Sequence, residues 1–335
     1  MRAIVFGWFL FCLLSVIGRG EVLLDDGGVH LVADGAFAAE TVVLRNGTTL
    51  RVDFGGVAGA VTSHDSSAVD VLPGGEVSGR LYLRGESRCG ISGGMVGDLQ
   101  VAHGSVAVVD GGTVGRVSAR SFAGVWLLGG SFPGEVEVVE ANGAGAFLEI
   151  DGGMFSGADG VVVGQGGRLV VRGGDFTGGR SLLLAAPNGR CVVSGGTFGG
   201  AVEMRGGELL VTGGDFSVYG VELGVGVAEL AGGIYPAGSS GVLLGDAVPG
   251  DAPRLVLRGD GTVAAVAGGM QWDGTLSGSP GPAVLGVNFI GEGGTVEVVV
   301  DADLDGAEDA DHLVPGEGLQ PGEGGTRVMP PRRPP

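Results

Sequence analysis

The sequence predicts an all-β chain wound as a single right-handed parallel β-helix, a solenoid of roughly a dozen coils of 18–23 residues each. Three observations predict it. A Gly-Gly phrase recurs, with its first glycine at 55, 74, 93, 111, 129, 152, 173, 195, 213 and 232. Apolar residues stand two and four places before each pair from Gly93 on, alternating with polar or mixed ones. Three places after the first glycine runs the column Val77, Val96, Val114, Phe132, Phe155, Phe176, Phe198, Phe216 and Tyr235.

Period-two alternation describes a strand with one buried face. The inward set two places before the glycines is Leu72, Ile91, Val109, Leu127, Ile150, Val171, Val193, Val211 and Leu230. Four places before stand Cys89, Ala107, Val125, Leu148, Leu169, Cys191, Leu209 and Ala228. A second strand follows each member of the column from Val77 to Tyr235, as in Leu81/Leu83, Val136/Val138, Val202/Met204 and Val221/Leu223. One such repeat cannot bury its own apolar face, so it must stack on its neighbours. Strands about 4.8 Å apart would then pile the aromatic column into one internal stack. Helix is excluded by the density of glycine, 74 residues in 335, which destabilises helix interiors. Parallel crossovers default to right-handed winding.

The chain order gives three parts. Residues 1–20 read as a secretory signal: Arg2, an apolar run from Ile4 to Ile17, then Gly18 and Gly20. Residues 21–300 form the solenoid with its caps, and the Ala-rich stretch Ala33–Thr41 suggests a short closing helix. Residues 301–335 form an acidic, then Pro-rich, disordered tail. After Gly268-Gly269 the pattern loosens, with Trp272 one place off the aromatic column and Pro280 and Pro282 interrupting. Thr295–Val300 supplies one further strand.

Cys12 leaves with the signal. Cys89 and Cys191 fall in one column five coils apart, roughly 24 Å at strand spacing, far beyond disulfide reach. Both are expected as buried free thiols.

The formal net charge is −19, and every basic residue apart from histidine is Arg. An acidic chain without Lys is a poor partner for nucleic acid or anionic membranes, and it lacks Schiff-base chemistry. No membrane span is expected once the signal is removed. The inserts of the longer coils, Glu140–Ala146, Gly164–Gly167 and Ala185–Gly189, gather at one corner, with Gly245–Pro253 at the same place. Insertions on one solenoid edge mark either a binding edge or tolerated loops.

Few stretches carry chemistry. Asp301, Asp303, Asp305 and Asp309 follow the D-x-D-x-D-G start of a calcium loop, residues 301–312, in which alternating carboxylates converge on a hard cation. His312 stands where a bidentate Glu usually closes the shell, so the loop is closer to thrombospondin type 3 and dockerin repeats than to an EF-hand; the other reading is an acidic linker. Ca2+ is the only cofactor the sequence suggests. Asn46-Gly47-Thr48 is a glycosylation sequon, and Arg258-Gly259-Asp260 spells an integrin-type tripeptide within a strand end. The outward carboxylates Glu137, Glu203 and Glu222 are the candidate binding residues, the last two on adjacent coils. Carboxylates about 5 Å apart suit a retaining glycosidase; solubilising charge is the plainer reading. The four histidines are scattered, and no catalytic residue is assigned.

The V-x-S-G-G-T/D-F phrase over Arg51–Gly269 resembles the passenger repeats of self-associating autotransporter adhesins, without their translocator barrel. The resemblance implies a secreted or surface-associated, non-enzymatic rod acting in adhesion or as an extracellular scaffold. Its expected partners are a cell-surface or extracellular glycan, or a second copy of itself. The alternative is a polysaccharide-binding or polysaccharide-active β-helix, lyase- or hydrolase-like, using the inserted corner.

Overall fold

A computed structural model describes residues 20–35, 37–139, 145–235, 238–245, 253–266, 269–279, 283–289 and 295–299. The stretch expected as a signal, up to residue 19, the candidate calcium loop 301–312 and the expected tail lie outside the described residues. The chain is an all-β, right-handed solenoid of about 11 turns, with no helix among the described residues.

One coil shows the plan. Phe147–Ile150 forms the first face, Met154–Phe155 a short second face, and Val161–Val163 the third. The next coil repeats it with Arg168–Val171, Asp175–Phe176 and Arg180–Leu184, each strand parallel to its predecessor. Where the corners tighten, strands run through them. Arg88–Val101 and Val106–Arg120 each span three faces, with irregular pairing at the bends.

The registers reproduce the inward columns. Cys89, Ala107, Val125, Leu148, Leu169 and Cys191 are successive partners, which places the two cysteines in one column five steps apart. Both are buried and free. On the third face Leu81, Leu99, Val117, Val136, Val161, Leu182, Val202 and Val221 stack in the same way, all buried.

The aromatic column lies inside. Phe132, Phe155, Phe176, Phe198 and Phe216 are at most 1% exposed. Their centroids are 4.6–4.8 Å apart from ring to ring, and the planes lie within 12° of parallel. Tyr235 ends the stack 5.3 Å from Phe216 and donates its hydroxyl to the carbonyl of Gly232 at 2.9 Å. Burial pushes its phenol pKa upward. Parallel offset stacking adds about 0.5–1.5 kcal/mol per pair beyond area burial.

Those rings explain the glycines. A β-carbon on Gly174, whose φ is +107°, would sit 3.1 Å from the edge of Phe155 and 3.5 Å from that of Phe176. The first glycine of each pair meets backbone instead. A β-carbon on Gly195 would lie 2.2 Å from the Arg172 carbonyl oxygen on the preceding coil. The corner therefore excludes any side chain at both positions, for two different reasons.

Three expectations are corrected. Val71, not Leu72, occupies the inward column between Val52 and Ile91. Asp53–Gly56 and Leu72–Gly75 close as four-residue turns, with Gly75 N–H donating to the Leu72 carbonyl at 2.9 Å and Gly74 left-handed at φ 82°. From Gly93-Gly94 onward the second glycine, not the first, is left-handed. Upstream of the first glycine the alignment is thus shifted by one residue in those early coils, while Val77 keeps its place opposite Val96.

The Ala-rich segment is strand, not helix. Phe37–Leu44 pairs with Glu21–Leu24 on one side and Val57–Ser63 on the other. Phe37 is the partner of Ala58 and so extends the aromatic column by two rungs beyond Val77, while Val42 and Leu44 are fully buried. Ladder pairing and core burial override a local alanine preference.

The loosened C-terminal pattern is a β-meander. Arg254–Val266 and Gly269–Leu276 pair antiparallel, and Ala283–Phe289 returns antiparallel to the second of these and parallel to Gly238–Leu244. Trp272 pairs with Val263 and Leu285 and is 1% exposed. Thr295–Val299 then stacks on Arg254–Val266 as a further rung.

A second ladder escaped the sequence reading. At the corner between third and first faces, Asn46, Asp65, Ser66, Glu86 and His103 adopt left-handed φ between 52° and 65°. Each turn ends on a fully buried hydroxyl residue: Thr48, Ser67, Ser87 and Ser105. The signature is arginine, histidine or alanine, two turn residues, then Ser or Thr. Such turns demand residues that tolerate φ above zero, and Asn, Asp and Gly supply most of them.

Candidate functional site

On the outward surface the third-face column runs Glu137, Val162, Leu183, Glu203 and Glu222, each the partner of the next. Glu203 and Glu222 are therefore immediate neighbours, while Glu137 lies two intervening rungs away. Glu203 accepts from Arg180 Nε at 2.7 Å and from Arg205 Nε at 2.5 Å, one guanidinium on each oxygen. Glu137 accepts from Arg120 Nη2 at 2.9 Å, with Arg116 Nη2 at 3.7 Å. Glu222 is exposed and has no ion-pair partner among the described residues.

The same pattern continues elsewhere. Arg80 reaches Asp98, Arg116 reaches Glu135, Arg172 reaches Glu149, Arg180 reaches Asp159 and Arg258 reaches Glu229. Each of these pairs joins neighbouring rungs. Guanidinium geometry suits such bridging, because a planar fork can serve two carboxylates at once. Arg258 of the integrin-type tripeptide is thus engaged along the sheet.

The inserted corner is a different environment. Gly145, Gly166 and the run Pro187–Gly189, which come from the three inserts, line one cleft of about 360 Å³ with Arg168, Arg190 and Glu208. Arg168, Arg190 and Glu208 are successive first-face partners, and Phe147 precedes Arg168 in the same outward column. Arg190 Nε is 3.1 Å from Glu208 Oε2. Arg168 has no carboxylate partner among the described residues. Phe147 meets Trp126 edge-on at 5.9 Å, and both rings are partly exposed.

The sequence located this corner through its inserts but did not pick out its arginines. The signal was present: Arg168-Leu-Val-Val, Arg190-Cys-Val-Val and Glu208-Leu-Leu-Val begin three consecutive first-face strands at one offset.

The calcium candidates Asp301, Asp303, Asp305 and Asp309 lie outside the described residues. Among the described residues no group of three or more His, Cys, Asp or Glu side chains is placed to hold a metal. Cys89 and Cys191 sit in the core, where burial pushes both thiols well above their ordinary pKa; Asp70 adds to the effect at Cys89. At His64 burial first, then Arg84 and Arg45, lowers the imidazole pKa, and Asp65 opposes them.

No family model, curated protein or solved structure matches the sequence.

Proposed function

We propose that the protein is a secreted or surface-associated, non-enzymatic rod acting in adhesion or as an extracellular scaffold, similar in build to the passenger repeats of self-associating autotransporter adhesins. The observation that carries this reading is the allocation of the outward carboxylates. Glu203 and Glu137, two of the three acids singled out by sequence for glycan chemistry, are each held by an arginine of the preceding rung, Arg180 and Arg120, and the pair Glu203 and Glu222 therefore has one member already engaged. A general acid or nucleophile needs an oxygen within reach of substrate. At Glu203 both oxygens already face guanidinium groups.

The glycan-binding alternative draws support from one feature, the cleft at the inserted corner. Its polar lining and exposed backbone suit recognition of a hydroxyl-rich ligand. A glycan array probed with the full chain, with and without calcium, tests both readings when followed by product analysis of every hit. Beads coated with the chain test self-association. Clumping of the beads, or retention of glycan with no new reducing ends, is the expected result. Turnover of a bound glycan overturns the non-enzymatic reading.

A further inference from the structure

We propose that the cleft at the inserted corner binds a saccharide carrying an anionic substituent, a carboxylate or a sulfate, with Arg168 as its principal contact. This deepens the adhesive reading and rests on it for the protein's exposure to extracellular glycans.

The argument begins with charge. Arg168 and Arg190 are direct partners on adjacent strands, an arrangement in which like charges repel. Glu208 neutralises Arg190 from the next rung. Nothing neutralises Arg168 among the described residues, although Arg172, Arg180, Arg190 and Arg205 all have carboxylate partners. In a chain of net charge −19, the cleft carries a local positive charge. A guanidinium left open beside a concavity is a fork for a planar or tetrahedral anion.

Shape narrows the ligand to a saccharide. Three glycines, Gly145, Gly166 and Gly189, leave the floor without side chains, and Asn188 brings an amide with both donor and acceptor atoms. Phe147 stands one rung from Arg168 on the same outward column, backed edge-on by Trp126. A rung spacing of about 4.8 Å places an apolar ring and a guanidinium one strand apart, a separation that a single sugar ring can bridge. The ring would cover the apolar face of a sugar while Arg168 takes its charged group.

The test is calorimetric titration of the full chain with four probes: an oligogalacturonate, its methyl ester, a sulfated oligosaccharide of neutral sugars, and sodium acetate with sodium sulfate. The expected result is binding of the oligogalacturonate, the sulfated oligosaccharide, or both, with the ester at least tenfold weaker and the free anions weaker still. Arg168→Ala and Phe147→Ala should each lower the affinity tenfold or more, and Arg168→Glu should abolish it. Arg168 has no carboxylate partner to lose among the described residues, so its variants should melt where the parent does, whereas Phe147→Ala also gives up the edge contact with Trp126 and should melt slightly lower. Equal affinity for the ester, unchanged affinity in Arg168→Glu, or no binding of either charged oligosaccharide overturns the site. Bead clumping that persists without saccharide binding overturns the site alone and leaves the adhesive rod standing.

Discussion

Phe176 and Phe198 lie with ring centroids 4.7 Å apart and planes 2° from parallel. Each is the rung partner of the other's strand position, so the stack has the repeat of the hydrogen-bond ladder itself. The rings are held by the backbone that they help to bury.

Removing a ring from the middle of the stack should therefore cost more than removing only the hydroxyl at its end. Phe176→Ala is expected to lower stability by about 3–5 kcal/mol, the usual cost of a large buried aromatic. Tyr235→Phe loses only the hydrogen bond to Gly232, about 1 kcal/mol. Urea denaturation followed by circular dichroism measures both. Equal effects would show that a central ring contributes no more than that one hydrogen bond.

Gly174 offers a backbone test of the same stack. Its φ of +107° is strained for any L side chain, and a β-carbon would press on Phe155. Gly174→Ala should cost at least about 1–3 kcal/mol. Gly35, whose β-carbon would meet nothing within 4 Å, serves as the control: Gly35→Ala should be near neutral. The readout is the urea midpoint of each variant.

The buried thiols predict an alkaline limit to stability. Burial raises the pKa of both Cys89 and Cys191 from an ordinary 9.0, so above that pH the unfolded chain releases protons that the folded chain keeps. Their stabilising contribution is complete below about pH 9 and declines as pH climbs, by about 1.4 kcal/mol per unit for each thiol. Cys89→Ala/Cys191→Ala should flatten the fall in melting temperature between pH 9 and pH 10, relative to the parent. Neither native thiol should react with a thiol reagent until denaturant is added.

Glu203 and Glu222 should respond differently to the same change. Glu203→Gln breaks two contacts with Arg180 and Arg205 and should cost about 0.2–1 kcal/mol, shrinking as salt is raised. Glu222→Gln removes an exposed carboxylate without an ion-pair partner among the described residues and should leave the melting curve in place. Comparing both variants at low and high ionic strength checks this. A salt-independent loss at Glu203 would show that something other than charge is holding it.

How much was legible follows from where the information resides. Column membership for Cys191, Val193 and Phe198 depends on residues a fixed distance from Gly195 and was readable directly. Leu72 was assigned to the inward column and Val71 replaces it, because a Pro-Gly-Gly turn of four residues looks the same in sequence as the later Gly-Gly corner. Ala38 and Ala39 suggested helix, since alanine's local preference was the only nearby signal. The pairing of Phe37 with Ala58 lies 21 residues away. Trp272 looked like a slipped repeat member, and it belongs instead to a strand running the opposite way.

For the candidate site the division is similar. The inserts betrayed the corner, and Glu203 beside Glu222 followed from the repeat. Which carboxylates were spoken for did not follow, because ion pairs such as Arg180–Glu203 join side chains 23 residues apart. By itself the sequence determined the winding, the buried columns and the glycine corners, since a solenoid writes its contacts at a constant spacing. Only the tertiary structure decided the direction of the last strands, the partners of outward charges such as Glu203, and the placing of Arg168 at an open cleft without a carboxylate among the described residues. Those depend on side-chain reach and on chain reversal, neither of which the repeat encodes.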